Sequence, residues 1–144
     1  MTAVAPHPGL DADAATLAEQ LVEWLQSGVR PRDMFADEVF TDLSVPQWRL
    51  QAEGAEAAFA LREDNHPFPG TVTVESVDRS ARGFLLRFEE RWDADGQRWY
   101  SRELIHCAVT DGRISELVVY CTGDWDENVQ RRHAEQVSLL RKSP

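Results

Sequence analysis

The chain has 144 residues, of which 42% are hydrophobic, and a formal net charge of −10 at pH 7. Its length fits one globular domain with a real core. The negative charge and the lack of a basic stripe argue against nucleic acid and anionic membrane surfaces as partners. No apolar run reaches the roughly 18 residues of a membrane span. Two cysteines are too few for a disulfide framework, so we expect a cytoplasmic protein.

Helix signals dominate the first part of the chain. Residues 1–12 carry two prolines and no signal-peptide pattern, so we expect a flexible arm there. Asp11 or Asp13 can cap a helix that runs to about Ser27, and Gly28 suits its C-terminal end. Pro31 predicts a second, short helix to about Phe35.

The segments that follow alternate between strand and helix. Val39 to Leu43 predicts a first strand, which Pro46 interrupts. A further helix fits residues 54–64, and the proline- and glycine-rich residues 65–70 predict a loop.

From Thr71 onward the hydrophobic pattern has the period of two that is typical of strands. Asp95-Gly96 and Asp111-Gly112 are strong signals for two-residue hairpin turns. The sequence therefore predicts an antiparallel meander followed by a helical tail from Trp125 to about Leu140. The predicted strands are TVTVESVD, FLLRFEERWD, RWYSRELIHCAV and RISELVVYC.

Two-residue turns would fix which side chains share a face of the sheet. The predicted cross-strand pairs are Glu89–Arg102, Arg87–Leu104 and Leu85–His106 in the first hairpin, and Arg102–Cys121, Leu104–Val119 and His106–Leu117 in the second. The opposite face would be strongly apolar, with Phe84, Leu86, Phe88, Trp92, Trp99, Ile105, Cys107, Val118 and Tyr120. Cys107 and Cys121 would point to opposite faces, so no disulfide is expected between them.

The order of elements resembles the nuclear transport factor 2-like superfamily. The resemblance lies in MFADEVFTD, in the helix start at Gly54 and in HCAVTDGRISELVVY. This superfamily includes SnoaL-type polyketide cyclases, ketosteroid isomerases, scytalone dehydratases and limonene epoxide hydrolases. The resemblance implies an α+β fold, a cystatin-like roll in which a cone-shaped, curved antiparallel sheet wraps around N-terminal helices. It implies a pocket domain over residues 13–125 and a C-terminal helical extension over 126–144.

The resemblance also implies which sheet face lines the pocket. The family's pocket positions on the last two strands match His106 and Cys121, so we expect Leu104, Leu117 and Val119 on the same concave face. The apolar face would then be convex and would form a homodimer interface. The alternative is that the apolar face is simply the core, which would leave His106 and Arg102 in solvent.

His106 and Asp42 are the first candidates for catalysis by the same resemblance. An imidazole side chain such as that of His106 suits proton transfer near neutral pH or hydrogen-bond donation to an oxyanion. The alternative role is a pocket-wall histidine bonded to a neighbour. Asp42 falls near the position of the family's general base, and its alternative role is capping backbone N–H groups.

Glu89 and Arg102 are the second pair of candidates, because a carboxylate-held arginine can orient a substrate oxygen. An ordinary cross-strand salt bridge is the alternative. Limonene epoxide hydrolases use an acid–Arg–acid set, for which we place no second acid. Cys121 is expected beside Arg102, either as an activated thiol or as a small core residue. The expected substrate-binding residues are Trp48, Phe59, Phe68, Leu104, Leu117, Val119 and Cys121.

These observations favour an enzyme without a cofactor. The sequence has no phosphate-binding loop, no serine-nucleophile elbow and no metal-ligand spacing. We expect a cyclase, isomerase or dehydratase that acts by general acid–base catalysis on a small, largely apolar substrate such as a polyketide or terpenoid. The alternatives are a non-catalytic dimer that binds a small molecule and an epoxide hydrolase.

Overall fold

The computed structural model of the chain describes residues 9–142, which form three helices and one six-stranded sheet. Residues 1–8 of the predicted arm lie outside this range. The elements in chain order are α1 (Ala12–Ser27), β1 (Phe35–Val45), β2 (Trp48–Glu53), α2 (Ala55–Asn65), β3 (Gly70–Arg79), β4 (Gly83–Ala94), β5 (Gln97–Thr110), β6 (Arg113–Cys121) and α3 (Glu127–Gln136).

Helix α1 forms where its sequence signals place it. The Asp11 carboxylate accepts a hydrogen bond from the backbone N–H of Ala14 at 2.8 Å, which satisfies one of the free donors of the first turn. Gly28 ends the helix in the left-handed conformation at φ 76°. The buried stripe of the helix includes Leu17, Leu21, Trp24 and Leu25, which pack on the sheet.

The sheet has the strand order β2-β1-β6-β5-β4-β3. Neighbouring strands are antiparallel except for β1 and β6, which run parallel, so the predicted curved antiparallel sheet contains one parallel pair. The sequence did not predict β2, which forms a hairpin with β1 around Pro46 and Gln47. Helix α3 is shorter than predicted and has no buried residue.

The predicted short helix at residues 31–35 is wrong. Asp33 has a left-handed backbone at φ 56°, which does not continue a helix. The carbonyl of Met34 instead accepts a hydrogen bond from the N–H of Ile114 at 2.8 Å, which draws the chain onto β6. Met34 and Phe35 are buried in the core as a result.

Both predicted Asp-Gly turns are present, with positive φ at Asp95, Gly96, Asp111 and Gly112. The β4–β5 register is the predicted one, with Glu89 opposite Arg102. The β5–β6 register differs by one residue, because a bulge near Ala108 inserts an extra residue into β6. His106 therefore opposes Val118, where Leu117 was predicted.

This bulge changes which residues share a face. Phe84, Leu86 and Phe88 are fully buried in the core that includes α1, so the apolar face of β4 and β5 is concave. The predicted concave face is wrong for these two strands and right for β6, because the bulge shifts the alternation of β6. The physical reason is that burying the face made of aromatic and aliphatic side chains removes more apolar surface from water than burying the opposite, more polar face would.

Candidate active site

A cavity of about 530 Å³ lies between the concave face, α1 and α2. This volume falls within the range of pockets that bind small organic ligands. Its wall is mainly apolar, with a small number of polar and ionisable side chains. The residues that line it include Leu21, Trp24, Thr41, Ala58, Arg62, His66, Glu90, Glu103, Ile105, Leu117, Val119, Cys121 and Asp124.

An ion pair between Arg62 and Glu90 lies in the cavity wall. The guanidinium of Arg62, on α2, donates to both carboxylate oxygens of Glu90, on β4, at 2.8 and 3.2 Å. It also donates to the backbone carbonyl of Leu25 at the end of α1 at 3.1 Å. Bidentate pairing and the third bond fix the guanidinium, which joins both helices to the sheet.

Glu90 pairs directly with Ser101 on β5. Glu103 lies two residues further along β5 and is therefore the diagonal neighbour of Glu90. It is only 8% exposed. Burial raises the pKa of Glu103 well above its usual range, and the negative charge of Glu90 and a hydrogen bond to Glu90 raise it further, while Arg62 opposes them. Its Oε2 atom has no hydrogen-bond partner among the described residues. The raised pKa favours the neutral acid form of Glu103, and one of its oxygens is buried without a partner among the described residues.

Two more ionisable residues lie at the mouth of the cavity. Burial and the positive charge of Arg62 lower the pKa of His66 to about 4, against the opposing effect of Glu90, so its imidazole is neutral near pH 7. The His66 ring packs on Trp92, with 4.2 Å between the ring centroids. Partial burial and Glu90 raise the pKa of Asp124, although this residue is exposed at the rim.

The charges at the centre of the cavity balance one another. With one proton on the Glu103–Glu90 pair, which the raised pKa of Glu103 favours, the two carboxyl groups and the Arg62 guanidinium would carry no net charge. The guanidinium is already occupied by Glu90 and Leu25, so it offers little to an anionic ligand. The centre of the cavity therefore suits an uncharged ligand with an oxygen that can accept a proton.

Three of the predicted substrate-binding residues line this cavity, namely Leu117, Val119 and Cys121. Burial raises the pKa of Cys121 to about 12, with Glu103 adding to the effect. The thiol is therefore protonated near neutral pH and is a poor nucleophile. Cys121 contributes to the wall, and the arginine expected beside it lies on the opposite face of the sheet.

The predicted catalytic residues of β4 and β5 lie on the convex face, outside the cavity. His106 shares a hydrogen bond of 2.8 Å with the hydroxyl of Ser80. Arg102 binds both oxygens of Glu75 at 2.6 and 2.7 Å, so Glu89 is not its carboxylate partner. Glu89 accepts a hydrogen bond from the hydroxyl of Tyr100 at 2.5 Å.

The remaining predicted residues are also outside the cavity wall. Asp42 forms a bidentate ion pair with Arg49, and this hydrogen bonding lowers the pKa of its carboxyl group. Trp48 and Leu104 are 68% and 38% exposed. Phe59 packs in the core against Trp24 and Phe35. Phe68, 39% exposed, lies against His66 at the outer end of α2.

The residues that sequence reasoning missed are Arg62, Glu90, Glu103 and Asp124. Glu90 and Glu103 carried a usable signal, since each continues the apolar alternation of its strand: Phe84, Leu86 and Phe88 precede Glu90, and Ile105 and Cys107 follow Glu103. An acid in the middle of an apolar stripe is expensive unless it is paired or protonated. Arg62 is likewise one helical turn after the buried Ala58.

Within residues 9–142, no group of three or more His, Cys, Asp or Glu side chains has an arrangement that could hold a metal ion. Within the same range, no helix combines the length and apolar character needed to cross a bilayer.

No protein-family model and no curated protein sequence matches the chain. Solved structures match across most of its length. A candidate SnoaL-like polyketide cyclase from Jannaschia sp. CCS1 is 14% identical, with a TM-score of 0.65 over 94% of this chain and 100% of that one. A nuclear transport factor 2-like protein from Anabaena variabilis has a TM-score of 0.65 at 15% identity, over 83% of this chain and 96% of that one.

An epoxide hydrolase from M. tuberculosis, similar to limonene epoxide hydrolases, has a TM-score of 0.58 at 15% identity, over 76% of this chain and 82% of that one. Similarity at this level of identity establishes architecture, whereas activity depends on the residues of each site. The helices, the curved mixed sheet and these matches agree with the resemblance in the sequence: the chain has the nuclear transport factor 2-like fold.

Proposed function

We propose that the protein is an enzyme that performs general acid–base catalysis on a small, uncharged and mostly apolar organic substrate, with Glu103 as the acid. The observation that supports this most directly is a buried carboxyl group in a mainly apolar cavity, with a raised pKa and one oxygen without a partner among the described residues. Perturbed carboxyl groups of this kind are characteristic of catalytic sites.

Glu103 and Glu90 provide an acid and a base side by side. In an isomerisation, Glu103 gives its proton to a carbonyl oxygen while Glu90 removes a proton from the adjacent carbon. Glu90 then returns its proton to a different carbon, and Glu103 takes its proton back from the oxygen. The double bond has moved, and both carboxyl groups are restored. Arg62 limits the cost of the charge that moves between them, since its guanidinium is fixed beside Glu90.

The test uses 3-cyclohexenone, whose isomerisation to the conjugated ketone is followed by ultraviolet absorbance. Glu103→Gln keeps the shape of the side chain and removes the acid, so we expect kcat/KM to fall by about 10²- to 10⁴-fold. Glu53→Gln is the matched control, because Glu53 is exposed on β2 and should leave turnover unchanged. Full activity in Glu103→Gln, with an intact circular dichroism spectrum, would refute the role of Glu103.

A second candidate function is epoxide hydrolysis, and the observation that favours it is the acid–Arg–acid set formed by Glu103, Arg62 and Glu90. Glu103 would give its proton to the epoxide oxygen as the C–O bond breaks. Water would bond to the carbon and lose its proton to Glu90. Formation of a diol from styrene oxide in ¹⁸O-labelled water, with one labelled oxygen, would select this reaction over isomerisation.

The non-catalytic alternative makes a different prediction for the same probes. A binding protein would bind 3-cyclohexenone or styrene oxide without converting either one. Binding without turnover in the wild-type protein would therefore favour ligand binding and reject both reactions.

A further inference from the structure

We infer that the substrate carries a second uncharged oxygen at its inner end, a hydroxyl or a carbonyl, which is recognised by the indole N–H of Trp24 and the hydroxyl of Thr41. The inference rests on the proposed function only for the role of Glu103 at the outer end of the substrate.

Trp24 and Thr41 both line the cavity, and each carries a buried polar atom without a partner among the described residues. Trp24 is 3% exposed and Thr41 is 2% exposed. Neither Trp24 Nε1 nor Thr41 Oγ1 has a hydrogen-bond partner in the part of the chain that the structure describes. A buried polar group without a partner costs free energy, and a ligand that supplies the partner recovers it.

Thr41 is the innermost residue of β1 in the cavity wall, which continues outward along this strand to Val45. Trp24 packs edge-on against Phe35 and Phe59, with ring centroids 5.8 and 5.2 Å apart. Phe35 begins β1, whereas Val45 at the other end of that strand leads to the exposed Pro46 at the mouth.

The strand register gives the spacing between the two ends. Thr41 is opposite Leu117, and Leu117 is opposite Cys107, four residues along β5 from Glu103. At about 3.3 Å per residue, Thr41 and Glu103 are separated by about 13 Å in the strand direction, before side-chain reach is counted. The distance suits an elongated, fused-ring or extended apolar skeleton with an oxygen at each end.

The chemistry of the inner end selects a neutral oxygen. The indole N–H only donates, and the threonine hydroxyl both donates and accepts. Together they can bind a hydroxyl with two bonds or a carbonyl with two donors. The surrounding side chains include Leu21, Ala58 and Leu117, and none of these can balance a carboxylate.

The experiment measures the binding of three rigid probes by isothermal titration calorimetry: biphenyl, 4-hydroxybiphenyl and 4,4′-dihydroxybiphenyl. In the wild-type protein we expect the dihydroxy probe to bind roughly 3- to 10-fold more tightly than the monohydroxy probe, as one further net hydrogen bond predicts. Thr41→Val and Trp24→Phe keep shape and packing and should each reduce this preference.

Glu103→Gln is the matched control at the outer end. It should preserve the part of the preference that depends on Thr41 and Trp24, even where it abolishes turnover. The two proposals therefore fail separately: turnover that depends on Glu103 without any probe preference rejects the inner-oxygen site, and probe preference without turnover rejects the catalytic role. Equal affinities for the two hydroxylated probes in wild type and variants, or no binding of any probe, would overturn the inference.

Thr41→Val also provides a readout that needs no ligand. Removing an unpaired buried hydroxyl should leave the free protein as stable as wild type or more stable, as measured by urea unfolding. A urea midpoint clearly lower in the variant than in wild type would show that the hydroxyl has a structural partner, and it would contradict the assignment.

Discussion

The titration of His66, at the mouth of the cavity, makes the stability of the folded protein depend on pH. In the folded protein its pKa is lowered to about 4 from an ordinary value of 6.5, mainly by burial and then by Arg62. Between these two values the unfolded chain binds a proton that the folded chain does not. The stability of the folded state therefore falls as the pH drops from about 6.5 towards 4.

We expect His66→Phe to remove much of this pH dependence. Phenylalanine keeps the packing on Trp92 and has no group that titrates. Between about pH 7 and pH 5 the free energy of unfolding, measured with urea, should fall further in wild type than in the variant, by on the order of 1 kcal/mol after allowing for partial solvent exposure. Parallel stability curves for the two proteins would contradict the assigned pKa of His66.

Arg62 acts at the scale of whole elements, because it joins α1, α2 and β4 through Leu25 and Glu90. Arg62→Met would leave the buried carboxylate of Glu90 without its cation, at a cost of about 3–5 kcal/mol in the free energy of unfolding. The double variant Arg62→Met/Glu90→Gln should regain a large part of this loss. Additive losses in the double-mutant cycle would show that the ion pair is not the origin of the effect.

Local signals of the sequence predicted most of the elements and their order. The cap at Asp11, the stop at Gly28 and both Asp-Gly turns depend on residues close together in the chain, which is why they could be read from it. The β4–β5 register followed from its turn. The strand β2 was missed because its residues are mostly exposed and show no clear alternation.

The bulge in β6 explains why the catalytic prediction went to the other face of the sheet. The extra residue near Ala108 does not change the alternation of apolar and polar residues within either strand. It shifts the pairing of β5 with β6 by one residue from Ala108 to Glu103, so that the β6 side chains there change face. The resemblance placed both His106 and Cys121 on the concave side, as the predicted register also did, but only Cys121 lines the cavity. The alternative, that the apolar face of β4 and β5 is the core, agrees with the structure and places Glu90 and Glu103 in the cavity wall.

At the scale of the whole molecule, the convex face of the sheet is charged and partly apolar. Its Arg102–Glu75 pair lies close to the exposed side chains of Leu104 and Tyr120. Phe84, Leu86, Phe88, Ile105 and Cys107, which made up most of the apolar surface that first suggested a dimer interface, are in the core. The homodimer is therefore a prediction from the family resemblance.

Sedimentation velocity tests this prediction. We expect a dimer, and we expect Leu104→Asp to dissociate it by placing a charge in the interface. Gln51→Asp, on the exposed edge strand β2, is a control for the added charge. A wild-type sedimentation coefficient of a monomer would show that the convex face is free of a second copy.

The protonation state of Glu103 is the central claim about this cavity. Selective ¹³C labelling of glutamate, with Glu103 assigned by comparison to Glu103→Gln, allows its side-chain carboxyl to be titrated by NMR. We predict a midpoint well above the ordinary value of 4.5, so that the group is still protonated at neutral pH. A midpoint at or below the ordinary value would show an ionised carboxylate and would contradict the proposed acid.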